Sequence, residues 1–589
     1  MDPLADTKTQ TMLDIEAVIT EKFPDLPKKK TGKLAIKLIK ALTHEQEINE
    51  FINSHQHLKG FAFLNEVLNY FNFSYNINSE ALNRIPAQGR VIMVANHPIG
   101  SLDGLALLKM VRSVRADVKI VASDLLNNIQ PLQSLFLGVD NLKEKASHKT
   151  QFKNILKALD NEEAVIIFPA GEVSRIRPNG VRDGKWKAGF LKLAEKSKAP
   201  IQPIYIDARN SSLFYALSTL YKPLGTMMLV QEMFNKKHQE IQFFVGKQIP
   251  HKQLAEFDMP PKQLANRFRK HLYKLDKETK NLKKGKKSLF KTEETIAHPV
   301  DRKQLKKTLK KSQLLGQTQD GKKIFLYDFE EDSPVMHEIG RLRELTFRTV
   351  EEGTGTPIDL DAYDTEYRHL VLWDEEDLEI VGAYRLGECG KLVEKNGISS
   401  LYTSTLFKLK PEIEPYLPNA IELGRSFVQP KYWGKRSLDY LWYGIGAYVA
   451  QHPNIKYLFG PVSLSDAYPQ NAKELIIGFF DQQLGSNQDI AQALRPVKIS
   501  SNNRKIAEEV FSGDYKESYK KLNALLDLEG VKVPTLFKQY AEVADDKGCR
   551  FIDFSIDPDF NACIDALILV ELDKLKPKKR ERYLNPIKE

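Results

Sequence analysis

From Gly89 onward the chain alternates short apolar runs with segments of helical periodicity, and this alternation narrows its possible folds more than any other feature. Residues 91–95, 118–122, 164–168 and 201–206 are compact apolar runs that predict buried strands. Residues 105–114, 152–159 and 189–196 place apolar side chains three to four positions apart and predict the helices between them. Strands separated by helices imply an α/β fold with a largely parallel sheet. The apolar stretch 213–230 is broken by Pro223 and Gly225 and reads as an interfacial loop or as buried core.

A second unit of the same class begins at Ile324. Strands are predicted at 324–327, 370–373, 380–386, 420–428 and 457–461, with helices at 336–350 and 438–452. The order is mixed β/α, and no internal repeat relates the two halves. A length of 589 residues fits two or more domains. A content of 42% hydrophobic and 28% charged residues excludes a disordered or fibrous chain. Cys389, Cys549 and Cys563 form no C-x-x-C pair, which excludes a disulfide framework and a cysteine zinc cluster and suits a reducing cytoplasm. No stretch reaches the roughly 18 to 20 apolar residues of a spanning helix, and the polar start of the chain has no signal-type apolar core.

The net charge of +10 is concentrated. Residues 267–323 hold 19 Lys and Arg against 6 Asp and Glu, an excess larger than that of the whole chain. The segment predicts a linker, partly helical, that is either a solvated connector or a contact for an anionic membrane or an acidic carrier protein. The division expected is therefore a helical N-terminal extension over 1–85, an α/β domain over 86–266, a basic linker over 267–323 and a mixed α/β domain over 324–589. Within the extension, Leu34, Leu38 and Leu42 alternate with Lys33, Lys37 and Lys40 at helical spacing, after Lys28, Lys29 and Lys30. Such a helix either lies on an anionic membrane or packs its leucines on the core.

Two motifs carry chemistry in the first unit. Asn96-His97-Pro98-Ile99-Gly100-Ser101-Leu102-Asp103-Gly104 follows the strand at 91–95. A histidine leaving a strand end, with an aspartate in the first turn of the next helix, makes an imidazole oriented by a carboxylate, the arrangement of a general base. A helix-capping role for His97 is the alternative. No G-x-S-x-G elbow is present at this place, so no covalent serine intermediate is indicated. After the strand at 164–168 come Pro169-Ala170-Gly171-Glu172-Val173-Ser174-Arg175, where a glycine permits close backbone approach and Arg175 offers a fork for phosphate or carboxylate.

These blocks resemble the glycerolipid acyltransferases over about residues 61–249, in the branch that acylates lyso-aminolipids. The resemblance implies His97 as base, Asp103 as its orienting partner, and Asn96, Gly171, Glu172, Ser174 and Arg175 around the acceptor headgroup. His97 and Asp103 are separated by five residues where the common pattern has four.

The second unit carries Arg343-x-x-x-Phe347, Asp361-x-x-Asp364, His369-Leu370, Gly382-Ala383-Tyr384-Arg385 and Glu422-Leu423-Gly424-Arg425, then a late Asp557-Pro558-Asp559-Phe560. An amine nucleophile must lose a proton before it attacks a thioester. A free α-amino group has a pKa of about 7.7 to 8, so one placed carboxylate suffices; Glu422 is the candidate. Arg343, Arg385 and Arg425, with Asp361 and Asp364, either hold an acceptor carboxylate or form a structural ion network. This order resembles the GNAT branch that includes acyl-homoserine-lactone synthases and ornithine N-acyltransferases. The pyrophosphate loop of that superfamily is poorly kept at 429–436, which favours an acyl carrier protein over coenzyme A as donor, with Lys431, Lys435 and Arg436 facing its acidic surface.

Together the halves resemble the bifunctional ornithine lipid synthases. That resemblance implies N-acylation of ornithine with a 3-hydroxyacyl chain from acyl carrier protein, then O-acylation of the lyso-lipid hydroxyl, with no bound cofactor or metal. Acyl-CoA is the alternative donor. Partners expected are the carrier protein, an anionic membrane surface and the amino acid and lyso-lipid substrates, with no nucleic acid. The chain is expected on the cytoplasmic face of the membrane as a peripheral protein. Other readings are glycine or another amino acid as acceptor, a homoserine-lactone synthase with an appended domain, or a basic scaffold with inactive transferase folds.

Overall fold

A computed structural model gives the architecture and describes residues 40, 44–121, 129–137, 148–220, 222–275, 288–486, 488–545 and 547–584. The chain divides into two compact units, Met1–Thr295 and Ile296–Glu589.

In the first unit the strands are β1 (Ser74–Asn76), β2 (Val91–Ala95), β3 (Val118–Ile120), β4 (Ala164–Ile167), the short hairpin β5 (Arg175–Arg177) and β6 (Gly180–Arg182), β7 (Ile201–Asp207) and β8 (Glu240–Val245). Six of them form one sheet in the order β1-β8-β7-β2-β4-β3. Neighbours run parallel except β7 and β8. The central strand β2 is buried along its whole length. Val91, Met93 and Ala95 face one core with the helix Ser101–Arg112, and Ile92 and Val94 face another with the helices Gly189–Ser197 and Pro261–Leu272. A strand covered on both faces has no polar side, which is why it reads as an unbroken apolar run. Each large aliphatic side chain so buried contributes about 1.5–3 kcal/mol relative to exposure.

Two expectations are corrected in this unit. The region 1–85 is not a separate helical extension throughout. Glu45–Ser54, Phe61–Tyr70 and Ser79–Asn83 are helical, but β1 joins the sheet edge, and Phe63, Leu64 and Leu68 are buried in the core. The basic amphipathic stretch at 33–42 lies outside the described residues except for Lys40. Residues 213–230 fall in two helices, Ser212–Leu220 and Lys222–Phe234, rather than a loop. Pro223 stands in the first turn of the second helix, where its missing N–H is not needed.

The basic segment 267–323 is likewise no continuous linker. It begins in the helix Pro261–Leu272, where Phe268 and Leu272 are buried with Phe290 in the first unit. It ends in the second unit as the helix Arg302–Leu309, the strand β9 (Gln313–Gln317) and the start of β10 (Lys323–Asp328). Leu305 and Leu309 are 1% exposed, while Lys303, Lys307 and Lys310 stay in water. A charge count hides such amphipathic helices, since two leucines per two turns are enough to bury one stripe. Residues 276–287 lie outside the described residues.

The second unit continues with β11 (Arg368–Asp374), β12 (Glu379–Glu388), β13 (Phe407–Leu409), β14 (Ala420–Val428), β15 (Tyr457–Leu464), β16 (Ala491–Ala493), β17 (Cys549–Asp557) and β18 (Cys563–Glu571). Its main sheet has the order β17-β18-β15-β14-β12-β11-β10-β9. Every pairing in it is antiparallel except β14 with β15. Those two strands pair only over Ala420–Glu422 and Tyr457–Phe459, then part. Gly460 stands at the fork with φ +145°, and a Cβ there would lie 2.2 Å from the Leu423 carbonyl oxygen. On its other side, β14 gains one residue against β12 between Gly424 and Phe427, a bulge in which Arg425 has φ +49°. The splay and the bulge open a cleft in the middle of the sheet.

The helix Pro334–Thr349 packs on one face of this sheet and Ser437–Gln451 on the other. The first starts where the Ser333 side chain accepts from the N–H groups of Val335 and Met336, with Pro334 at the first position.

Candidate active sites

In the first unit the two motifs meet because their strands are neighbours: Val94 of β2 pairs with Ile167 of β4, so both following loops leave the same sheet edge. Carboxyl ends of adjacent parallel strands are where α/β folds place their sites. The turn at Gly100, with φ +106°, brings the chain into the helix Ser101–Arg112. His97 Nδ1 and Asp103 Oδ1 are 2.9 Å apart. Asp103 is fully buried, and its Oδ2 accepts from Ile99 N at 2.9 Å and Gly100 N at 3.3 Å. The carboxylate is therefore held by the same turn that carries the histidine. With Nδ1–H donated to Asp103, Nε2 carries the lone pair. The ring is 21% exposed and stacks on Phe168 at 4.2 Å. Burial alone would lower the His97 pKa, but Asp103, and behind it Asp183, outweigh burial and hold it above the usual histidine value.

Asp183 was not singled out by the sequence reasoning. It is fully buried, accepts from His97 N at 3.3 Å, Ser174 Oγ at 2.6 Å and Trp186 Nε1 at 2.8 Å, and so ties the two motifs together. Burial raises its pKa against the pull of these donors. No local pattern marks it, because it reaches His97 only through the fold.

The other expected residues of this site divide. Arg175 stands next to Ser174, its guanidinium 5.6 Å from the Phe214 ring, with Nε and Nη1 buried and unbonded, which leaves two donors for an anion. Gly171 has φ +67°, and a Cβ there would come within 3.1 Å of Lys187 Nζ, so the glycine keeps that ammonium close to the loop. Glu172 lies against Gly184, where a Cβ would stand 3.2 Å from its Oε1. Asn96 and Ser174 are absorbed by the scaffold. Asn96 Nδ2 donates to Ile206 O at 2.9 Å and its Oδ1 accepts from Ile206 N at 2.7 Å, joining β2 to β7; Ser174 is bonded to Asp183.

In the second unit Glu422 lies at the paired end of β14, and 1% of it is exposed. It accepts from Tyr367 OH, Tyr402 N at 3.1 Å, and both Thr403 N at 2.6 Å and Thr403 Oγ1. A carboxylate saturated by four donors has no lone pair turned to an acceptor amine. Glu422 pins the 402–403 loop, and its expected role as base is not supported by this geometry.

Arg343, Arg385, Asp361 and Asp364 form the buried ion network that was the alternative reading. Arg343 Nη1 reaches Asp364 at 2.8 Å, Arg385 Nη1 reaches Asp361 at 2.5 Å and Asp364 at 3.4 Å, and Arg425 Nη2 reaches Asp361 at 3.0 Å. Asp359, also missed from sequence, pairs with Arg425 Nε at 3.4 Å. Burial would raise the Asp364 pKa, but Arg343 and Arg385 prevail and hold it well below the carboxylate range. Burial and then Arg343 push His369 down to about 3, so it is neutral. Three guanidinium groups thus meet three carboxylates.

Arg425 and Phe347 do reach the cleft between β14 and β15, where they join Glu352, Tyr384, Asp557 and Asp565. Tyr402 OH bridges the two sets, accepting from Arg425 Nη1 at 3.1 Å and donating to Asp557 Oδ2 at 3.4 Å. Burial first, then the Asp565 and Asp557 charges, raises Glu352 to about 8. Burial and Asp557 raise Asp565 to about 7.

An imidazole oriented by a buried carboxylate has the arrangement of a general base, and a splayed-sheet cleft lined with carboxyls has the arrangement of an amine-binding site. Both are compatible with acyl transfer. A family model described as "Acyltransferase" matches residues 17–287, and one described as "Acetyltransferase (GNAT) domain" matches 342–443. The chain is 32% identical over 305 residues to a glycine N(alpha)-acyltransferase of Bacteroides thetaiotaomicron, covering 49% of this chain and 90% of that one. It is 30% identical over 273 residues to a lyso-glycine lipid O-acyltransferase of the same organism, covering 45% of this chain and 97% of that one. An L-ornithine N(alpha)-acyltransferase of Brucella abortus matches at 35% over 137 residues, 22% of this chain and 46% of that one. The chain belongs to the acyltransferase families of the two Bacteroides relatives, with an acyltransferase domain ahead of a GNAT domain in one polypeptide.

Proposed function

We propose that the chain builds a two-chain aminolipid by consecutive acyl transfers. The second unit joins a 3-hydroxyacyl chain to the amino group of an amino acid, and the first unit esterifies the exposed 3-hydroxyl. In the second step the hydroxyl oxygen attacks a thioester carbonyl while His97 Nε2 takes its proton, Asp103 stabilises the imidazolium, and the departing thiolate receives that proton. Arg175 binds the carboxylate of the lyso-lipid headgroup through its open donors. The observation that carries this reading is the His97–Asp103 couple at 2.9 Å, in a loop that the Ser174 N–H, bonded to His97 O at 2.6 Å, joins to the motif carrying the unbonded Arg175 nitrogens.

Ornithine is one acceptor consistent with the GNAT resemblance. Glycine is the second, favoured by a relative named for glycine that is matched over 90% of its length, against 46% for the relative named for ornithine. Acyl carrier protein is the proposed donor. Lys435 is exposed beside Trp433, itself 46% exposed, and offers a basic, partly apolar contact; Arg436 is exposed but paired with Asp439 at 3.5 Å, and Lys431 is paired with Asp377 and Glu379. The enzyme is proposed to act as a peripheral protein on the inner face of the membrane. Among the described residues no helix is long and apolar enough to cross one.

Mass spectrometry of lipids from an aminolipid-free host expressing the chain tests the proposal. The wild type is expected to yield an amino-acid headgroup carrying one amide and one ester chain, whose mass identifies the acceptor. His97→Ala is expected to accumulate the mono-acyl amide. If the two-chain lipid still forms at the wild-type level in His97→Ala, the assignment of the first site is wrong.

A further inference from the structure

The cleft of the second unit gathers more carboxyl groups than its surroundings pair. Glu352, Asp557 and Asp565 are 8%, 3% and 4% exposed. Asp565 is bonded by Ser463 Oγ at 2.9 Å, and Asp557 by Asp559 N at 2.9 Å. Glu352 lines the cleft, yet no hydrogen bond or ion pair to a described residue reaches its carboxyl group. Arg425, the cation that acts on Asp565, is itself ion-paired to Asp359 and Asp361. A buried, unpaired carboxyl is costly and persists where a ligand completes it.

The position of Glu352 is held firmly. It follows the helix Pro334–Thr349 through a left-handed residue, Glu351 at φ +67°, with Glu352 N bonded to Phe347 O at 2.7 Å and Glu351 N to Arg348 O at 3.1 Å. This is a Schellman closure. Gly353 is required next, because a Cβ there would come within 2.3 Å of Arg348 Cγ. Asn561 Nδ2 ties the β17–β18 turn to Glu351 O at 2.7 Å. Glu352 is thereby aimed into the fork from a rigid helix end.

We infer that Glu352, with Asp565 and Asp557 beside it, receives the α-ammonium group of the acceptor amino acid and that Glu352 is the catalytic base of amide formation. The inference rests on the reading of the second unit as an amine acyltransferase. The ammonium gives one proton to the Glu352 carboxylate. The freed lone pair attacks the thioester carbonyl, forming the C–N bond. Collapse breaks the C–S bond, and the second nitrogen-bound proton goes to the departing thiolate, leaving amide and thiol; Glu352 returns its proton to water. Groups that face Glu352 or its acidic partners are Tyr468, Cys563, Tyr402 and Arg425. The thiol and the phenols remain neutral as the pH rises through 8, since the pKa of each is raised. The wild-type rate is therefore expected to climb with pH towards a plateau above about 8, as Glu352 ionises.

The test is N-acylation by the full-length chain with acyl carrier protein thioester and the acceptor amino acid, followed across pH. Glu352→Gln is expected to lose at least about 100-fold in kcat and the rising limb with it, and Glu352→Asp to recover part of both. Asp565→Asn is expected to raise KM for the amino acid and to move the limb to lower pH, because a like charge beside Glu352 is gone. An unchanged thermal unfolding midpoint of the second unit reports that each variant is folded, and O-acylation of supplied lyso-lipid reports that the first unit is intact. Wild-type kcat and pH profile in Glu352→Gln overturn the inference while leaving the amine-acyltransferase reading intact. Failure of the wild type to acylate any amino acid overturns that reading itself.

Discussion

The proposed role of His97 turns on one hydrogen bond, to Asp103. Because Asp103 holds the imidazole pKa above the usual histidine value, neutral Nε2 prevails only at pH above that raised pKa. O-acylation is therefore expected to fall as the pH drops through a midpoint higher than the roughly 6.5 of a free histidine. Asp103→Asn removes the carboxylate that does most to raise this pKa and leaves the tautomer unfixed. It should cost about 10²- to 10⁴-fold in kcat and shift the midpoint down; a pH–rate profile on lyso-lipid measures both, and an unmoved midpoint contradicts the coupling. This pair was legible in the sequence because its partners are six positions apart in one turn. Asp183 was not, since 86 positions separate it from His97 and only the fold joins them. Glu422 shows the opposite failure. A sequence displays a carboxylate but not the four donors that saturate it, and it gives no sign that the vacant one is Glu352.

At the scale of elements, both sites exist because strands hold loops at fixed places. Glu422 is the clearest case: it ties β14 to Tyr367 and to the 402–403 segment, where Thr403 is fully buried. Glu422→Ala leaves the Thr403 N–H and hydroxyl without their acceptor, while Tyr402 N keeps Tyr367 OH at 3.1 Å and Tyr367 OH keeps Ser400 O at 3.3 Å. At about 1–3 kcal/mol for each orphaned buried donor, the second unit should lose about 2 kcal/mol or more. Chemical denaturation that follows the second unit checks this, and a change below about 0.5 kcal/mol would remove Glu422 from the scaffold. The strands themselves were readable, β2 and β14 to the residue; β2, covered on both faces, leaves a continuous apolar run, and β14 keeps apolar residues at both of its ends. The fork between β14 and β15 was not readable. It arises from where pairing stops, and pairing leaves its mark on two distant segments at once. The segment 267–323 misled for a related reason, since its lysines dominate a count while Phe268, Leu305 and Leu309 decide where it packs.

For the whole molecule, the proposed function puts an amine acyltransferase and a hydroxyl acyltransferase in one polypeptide. A mono-acyl amide released near the second catalyst meets it at a high effective concentration, which suits a poorly soluble intermediate. Such a lipid must enter or leave at a membrane surface, and the charge distribution bears on that step. The excess of basic residues over 267–323 surpasses the net charge of the chain, so the remainder is slightly acidic and attraction to anionic headgroups is localised. Each lysine or arginine near an anionic surface contributes about 1 kcal/mol, over a distance set by a Debye length of about 8 Å at physiological salt and about 3 Å at 1 M. Several of these lysines are committed to surface pairs, such as Lys306 with Glu375, so only part of the excess is free to act. Sedimentation with anionic vesicles is therefore expected to show binding that weakens at least about tenfold between low salt and about 0.5 M salt, while binding to neutral vesicles stays weak throughout. Replacing Lys303, Lys307 and Lys310 by glutamine should flatten that salt dependence without disturbing Leu305 and Leu309, which hold the helix in place. Binding that is equally strong on neutral vesicles, or indifferent to salt, would show that apolar contact rather than this basic segment brings the enzyme to its lipid.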